Sequence, residues 1–209
     1  TVRGSSIGVN PVHKNTLYAA MGNMVYRTRD AGETWNYVAT IALPSIAFSR
    51  TNAFVVSAKD SNYWVAAVQG TGTTVDRVVW TDDAGATWND AVARYFGEYG
   101  IPLEADPDRP DTMYFGVDSD SLMRSTDRGK TWSEWSSTVF RSPCDIVVVP
   151  EGDSSVILVG DGITSSGNGR YWRSTGGSPT FATTFTVAGS EIPGMACSRL
   201  RNSAAFGTN

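Results

Sequence analysis

Thr28-Arg29-Asp30-Ala31-Gly32-Glu33-Thr34-Trp35 recurs as Thr81-Asp82-Asp83-Ala84-Gly85-Ala86-Thr87-Trp88 and as Ser125-Thr126-Asp127-Arg128-Gly129-Lys130-Thr131-Trp132. Each copy reads Ser/Thr-x-Asp-x-Gly-x-Thr-Trp. A fourth stretch, Ser174-Thr175-Gly176-Gly177-Ser178-Pro179-Thr180-Phe181, keeps the hydroxyl residue, the threonine and an aromatic but loses the Asp and the Gly. Successive copies begin 53, 44 and 49 residues apart. Self-similarity at such a period is the signature of a propeller or a solenoid.

The chemistry of the pattern is that of a turn. An Asp side chain accepts backbone N–H groups a few residues on, and Gly supplies positive φ without steric conflict. The Ser/Thr hydroxyl ties the other limb, and Thr-Trp opens the next strand. Thr28, Asp30, Gly32, Thr34 and Trp35 are therefore read as one hairpin fastener. Thr81, Asp83, Gly85, Thr87 and Trp88 form the second, and Ser125, Asp127, Gly129, Thr131 and Trp132 the third. A calcium loop would need further oxygen ligands at alternate places. Ala31, Gly32 and Ala84 offer none from side chains, so no metal is expected, and no cofactor.

The pattern resembles the Asp-box, or bacterial neuraminidase (BNR), repeat. That family includes sialidases, xyloglucan-hydrolysing glycosidases, sortilin-type receptors and photosystem assembly factors. The resemblance implies a β-propeller with each box on the hairpin between the two outer strands of a blade, away from the central binding face. It covers essentially the whole chain and implies a fold more than an activity.

A second register supports the same architecture. Asn10-Pro11 precedes Asn15–Ala20 and Met24–Arg27, and Asp106-Pro107 precedes Asp111–Gly116 and Ser121–Arg124; Pro to Tyr is seven residues in both. Short β-branched and aromatic runs between turn residues, four to a repeat, describe propeller blades. No sustained 3.6-residue apolar stripe exists. The expected fold is all-β, a single domain over residues 1–209, with four-stranded antiparallel blades at about 5–40, 41–93, 94–137 and 138–187. Blade two is read as strands at Ser45–Ser49, Ala53–Ala58, Tyr63–Gln69 and Val75–Val79. Blade four is read as Asp145–Val149, Val156–Gly160 and Arg170–Arg173, with Gly162–Asn168 as a loop. Ile192–Leu200 and Asn202–Gly207 match the start of blade one, giving a partial fifth blade at 188–209. Ring closure then calls for further residues, the N-terminus or another chain.

Composition bounds the partners. Net charge is −4, without the basic stripe that nucleic acid would require. No run of about eighteen apolar residues marks a transmembrane segment. Lys supplies three of the 17 basic residues, and the remaining Arg suit carboxylate recognition. Cys144 and Cys197 allow one disulfide.

Candidate chemistry is sparse. Sialidases carry an arginine triad, a Tyr/Glu nucleophile pair and an Arg-Ile-Pro motif, and that motif is missing here. Arg27, Arg124 and Arg173 precede boxes on equivalent strands, so repetition accounts for them. Glycosidases need two carboxylates across the scissile bond; Glu98, Glu104, Asp106, Asp118 and Asp120 lie outside the boxes, and Glu98, Asp106 and Asp118 are the catalytic candidates. Tyr95, Phe96 and Tyr99 flank Glu98 in an inter-strand stretch suited to sugar stacking. His13 stands without a Ser, Cys or second His partner. The first functional expectation is a non-catalytic binding or scaffold module, extracellular or on a cell or virion surface, recognising glycan or another protein chain. The alternative is a fragment of a sialidase-like or xyloglucanase-like hydrolase whose active site is completed by other residues.

Overall fold

The computed structural model describes residues 5–96, 100–162 and 169–187. The regular elements of this part are sixteen β-strands in four antiparallel meanders. The first sheet runs Ser5–Val9 (β1), Leu17–Met21 (β2), Met24–Thr28 (β3) and Asn36–Thr40 (β4). The second comprises Phe48–Val56 (β5), Trp64–Gly70 (β6), Arg77–Thr81 (β7) and Asn89–Ala93 (β8). Leu103–Ala105 (β9), Met113–Gly116 (β10), Leu122–Ser125 (β11) and Ser133–Glu134 (β12) make the third. Pro143–Glu151 (β13), Ser154–Asp161 (β14), Gly169–Ser174 (β15) and Phe181–Val187 (β16) make the fourth.

Strand alternation explains how the sheets stack. In a strand, successive side chains face opposite sides, and apolar residues here occupy both sides of the middle sheets. Tyr18, Ala20 and Val25 of the first sheet meet Phe54, Trp64 and Ala66 of the second. Val65, Ala67 and Val78 on the other side of the second meet Leu103, Met113 and Phe115 of the third. Tyr114 and Leu122 then meet Ile146, Ile157 and Val159 of the fourth. The first strands also touch in series, β1 with β5, β5 with β9 and β9 with β13. Gly8 permits the first of these approaches, because a Cβ there would lie 2.9 Å from the Phe54 carbonyl oxygen. Burying these faces stabilises the stack at roughly 25 cal/mol per Å² of apolar surface.

One expectation needs correcting. Ser45–Ser49 and Ala53–Ala58 are not two strands; β5 runs unbroken through Phe48–Val56. Register shifts at Phe48/Arg50 and Thr51/Ala53 absorb the extra residues as bulges, which bend a strand without ending it. The polar Arg50-Thr51-Asn52 segment, read from sequence as a break, is the bulged part. Most of the Gly162–Asn168 loop and the partial fifth blade at 188–209, with Cys197, lie outside the described residues.

Candidate functional site

The two ends of the sheet stack differ in chemistry. At one end lie the repeated boxes, each between the third and fourth strand of its sheet. Thr28 Oγ1 donates to Asp30 Oδ1 and accepts Gly32 N–H, while Thr34 N–H and Oγ1–H bond the two Asp30 oxygens. The same bonds join Thr81, Asp83, Gly85 and Thr87, and again Ser125, Asp127, Gly129 and Thr131. The hydroxyls and the threonine N–H hold Asp30 well below the usual carboxylate range, and Asp83 at about 2. Burial pushes Asp127 up, but bonds from Thr131, Ser125 and Lys130 outweigh it and lower the net value. A carboxylate so engaged has little left for a substrate.

The residue before each box glycine is also left-handed, with φ of 59° at Ala31, 58° at Ala84 and 63° at Arg128. Sequence reasoning assigned positive φ to the glycine alone. Each of these residues donates its N–H to the turn between the first two strands: Ala31 to Asn15 O, Ala84 to Asn62 O and Arg128 to Asp111 O. Gly177, at the same place in the degenerate fourth copy, donates to Ser155 O with φ of 69°. The fourth hairpin therefore keeps this tie without its Asp. Trp35 and Trp132 each donate Nε1–H to the box glycine carbonyl.

Asp106 belongs to this end and is corrected from a catalytic candidate to a turn buckle. Its Oδ1 accepts Asp108 and Arg109 N–H at 3.0 Å. Its Oδ2 accepts Arg109 Nε at 3.1 Å and Ser155 Oγ at 2.7 Å, the latter across to the fourth sheet. The side chain is wholly buried. Asn10 makes the same turn in the first sheet, accepting Val12 and His13 N–H. His13 is exposed in that turn.

The opposite end is built from the connectors between sheets and from the turns between second and third strands. Asp76 is buried there, accepting Gly70 N–H and Phe96 N–H on its two oxygens. Burial raises its pKa, opposed by those two bonds. Asp161 is likewise buried, with Oδ1 accepting Arg141 and Ser142 N–H and Oδ2 accepting Trp172 Nε1–H. Asp118 differs. It is half-buried, and its Oδ1 is shielded from solvent without a hydrogen-bond partner. It lines an open groove of about 260 Å³ with Ser119, Val139, Phe140 and Arg141. Ser119 N–H donates to Arg141 O and Phe140 N–H to Asp120 O, so the groove walls are fixed to each other through backbone. Val139 is 67 % exposed beside the wholly buried Phe140.

Tyr95 is joined to this region, its carbonyl accepting Asp118 N–H while the side chain stays 54 % exposed. Phe96 is corrected from a ligand-binding aromatic to a core residue: it is buried edge-on against Phe115 at 5.7 Å. Glu98 and Tyr99 lie outside the described residues. Arg27, Arg124 and Arg173 stand on three different sheets; Arg124 lies 5.8 Å from the Trp135 ring and Arg173 3.6 Å from Glu151. The groove residues Ser119 and Val139–Arg141 were missed in sequence reasoning. The turn chemistry of Asp118-Ser119-Asp120 marked a loop, but nothing local told that it faces the Val139–Arg141 connector.

No protein-family model matches the chain, and no curated protein matches it. Solved structures do. A family 74 glycoside hydrolase xyloglucanase from Xanthomonas campestris superposes with TM-score 0.65 at 17 % identity, over 91 % of this chain and 31 % of that one. A Trypanosoma rangeli sialidase gives 0.53 at 15 % identity, over 91 % and 39 %. YCF48 bound to D1 peptide gives 0.55 at 16 % identity, over 85 % and 53 %. The fold is that of a β-propeller. The four sheets are its blades, counted one to four in chain order, and the chain spans 24–31 % of the length of the family 74 enzymes it matches. No helix among the described residues is long and apolar enough to cross a membrane.

Proposed function

We propose that these blades form a non-catalytic, carbohydrate-recognising wall of a propeller, working outside a cell or on a cell or virion surface. The observation that carries this reading is the state of the acids at the end away from the boxes. Asp76 and Asp161 are committed to backbone and indole donors, while Asp118 keeps an unbonded oxygen beside an open groove. An unpaired carboxylate oxygen in the groove wall suits a sugar hydroxyl once a small side-chain rotation turns Oδ1 out of its shielded position; hydrolysis by the two-carboxylate route needs a second acid across the bond. Exposed Tyr95 and Val139 supply apolar surface in the same region, and binding sites of this kind combine apolar area with a few placed polar groups. A carboxylate acceptor favours a neutral sugar over a sialic acid, whose own carboxylate it would repel.

The test is titration of the protein with xyloglucan oligosaccharide and, separately, with sialyllactose, followed by calorimetry. Xyloglucan oligosaccharide should bind and sialyllactose should not. Asp118→Ala should weaken binding by roughly ten- to 150-fold, since a hydrogen bond to a charged group is worth about 1.5–3 kcal/mol. Affinity unchanged by Asp118→Ala, or binding to sialyllactose alone, would refute the site.

A second reading is supported by the family 74 neighbours, whose TM-scores reach 0.65. On that reading the chain is part of a glycoside hydrolase whose remaining acids lie elsewhere. Release of reducing ends from xyloglucan by the natural protein, abolished by Asp118→Asn while binding persists, would replace the first reading with this one.

A further inference from the structure

Connectors 41–47, 94–102 and 135–142 join the four blades. Each is tied twice through backbone. It donates one N–H to the turn between second and third strands of the blade behind it: Ile41 to Asn23 O, Arg94 to Asp76 O and Phe140 to Asp120 O. It accepts one N–H from the same turn of the blade ahead: Ala47 O from Thr71, Tyr95 O from Asp118 and Ser142 O from Gly162.

Two connectors carry a further tie that this repeating scheme does not need. Phe96 N–H donates to Asp76 Oδ2 at 3.2 Å, so Asp76 grips the residues on both sides of Tyr95. Arg141 and Ser142 N–H both donate to Asp161 Oδ1, at 2.9 and 2.7 Å. At the first connector the extra bond is neutral and runs from Asn23 Nδ2 to Ile41 O. Among the described residues, buried carboxylates therefore hold the two connectors on either side of Asp118 and not the third. A buried carboxylate is costly unless its oxygens are hydrogen-bonded, and burial raises Asp76 accordingly. The first connector is seated without that cost, so the two acids serve what lies between them.

We propose that Asp76 and Asp161 are positioning residues of the groove on blade three, each setting one wall from a neighbouring blade. The inference rests on that groove being the binding site. One path runs from Asp76 through Phe96 N–H and the Tyr95 carbonyl to the Asp118 backbone. The other runs from Asp161 through Arg141 N–H and the Arg141 carbonyl to Ser119 N–H. A hydrogen bond accepted by a charged oxygen is stronger than a neutral one, and displacing a positioned group by about 1 Å sharply lowers its effect. The two acids differ in one respect. Asp161 holds its wall on a single oxygen, the other taking Trp172 Nε1–H, whereas Asp76 uses one oxygen for Phe96 and the other for Gly70. Asp161→Asn thus keeps a carbonyl for both wall amides, while Asp76→Asn serves Phe96 or Gly70 but not both.

The experiment combines amide hydrogen exchange, read by NMR, with titration of xyloglucan oligosaccharide into the whole protein and its variants. Asp76→Ala should speed exchange of the Phe96 and Asp118 amides roughly tenfold or more, and Asp161→Ala that of Ser119 and Arg141, with Ala20 in blade one unchanged. Both should weaken binding roughly three- to thirtyfold, and Asp76→Ala should add little to the loss from Asp118→Ala, through which it acts. Asp161→Asn should bind as the parent does, and Asp76→Asn should fall between parent and alanine variant. Unchanged affinity in both alanine variants, or equal losses from Asp161→Asn and Asp161→Ala, would overturn the positioning role while leaving the groove as a binding site. If the parent binds no oligosaccharide, the carbohydrate reading fails by itself. Exchange then decides alone: fast Asp118 exchange in Asp76→Ala upholds the inference and slow exchange overturns it. Where Ala20 also speeds up, the alanine variant has loosened as a whole and the two Asn variants decide, equal effects at 76 and 161 overturning the proposal.

Discussion

Replacing Asp106 separates a structural acid from a catalytic one. Asp106→Ala removes the acceptor of four donors: two turn N–H groups, the Arg109 Nε–H and the Ser155 hydroxyl. The two turn amides lie near solvent and find water, so together they account for about 1 kcal/mol, as helix-capping contacts do. Ser155 is buried, and loss of its charged acceptor costs about 1.5 kcal/mol or more. Arg109 is 35 % exposed, so its ion pair is discounted for solvent to about 0.5–1 kcal/mol. The total is about 3 kcal/mol, or a fall in Tm of roughly 6–12 °C for a chain of this size. Asp106→Asn retains the Oδ1 acceptor, and Asn10 holds the equivalent turn in blade one. It should cost about 1 kcal/mol, mainly the ion pair. Urea unfolding followed by tryptophan fluorescence measures both variants. Equal destabilisation by Ala and Asn, or none by Ala, would refute the buckle. Loss of a hydrolytic activity by Asp106→Ala at unchanged stability would return it to the catalytic candidates.

Two further outcomes follow from the turns and connectors. The Asp83 carboxyl should titrate at about 2; because its folded pKa lies below the ordinary 3.8, its contribution to stability is full above that value and is lost as pH falls through about 2. Carboxyl-carbon NMR against pH reads the midpoint directly, and a midpoint near 3.8 would refute the bonds from Thr81 and Thr87. Gly100 has φ of 93°, and a Cβ there would lie 1.6 Å from the Cys144 carbonyl oxygen, which accepts Ile101 N–H at 2.6 Å. Gly100→Ala should destabilise by about 3 kcal/mol or more, combining left-handed strain with overpacking. A thermal melt unchanged from the parent protein would show that this connector is not held against β13.

The box turns were readable because everything they need lies within eight residues of sequence. Hydroxyl, carboxylate, glycine and threonine at fixed spacing can close only a small set of local bonds, and three copies at blade spacing imply the propeller. The Asn10 and Asp106 turns were visible as a register but not as a function, since a carboxylate before a Pro reads alike whether buried or open. Its contact with Ser155, on the next blade, made the difference. Phe96 shows the same limit: beside Tyr95 it reads as one aromatic platform, yet the connector turns one ring out and the other onto Phe115. In β5 a polar run was mistaken for a strand end because bulge and break share a composition.

What the sequence determined alone is therefore the repeat, its turns and the alternation of each strand, all set by bonds and side-chain directions local to the chain. Tertiary structure decided which acids are paired and which keep an unpaired oxygen, and which apolar faces are covered. Those properties depend on residues distant in sequence: Asp161 is closed by the Arg141 and Ser142 amides about twenty residues upstream and Asp106 by Ser155 of the next blade, while Asp118 Oδ1 is left without a partner. Burial in a propeller is a relation between blades, and one blade's sequence carries only its own half of it.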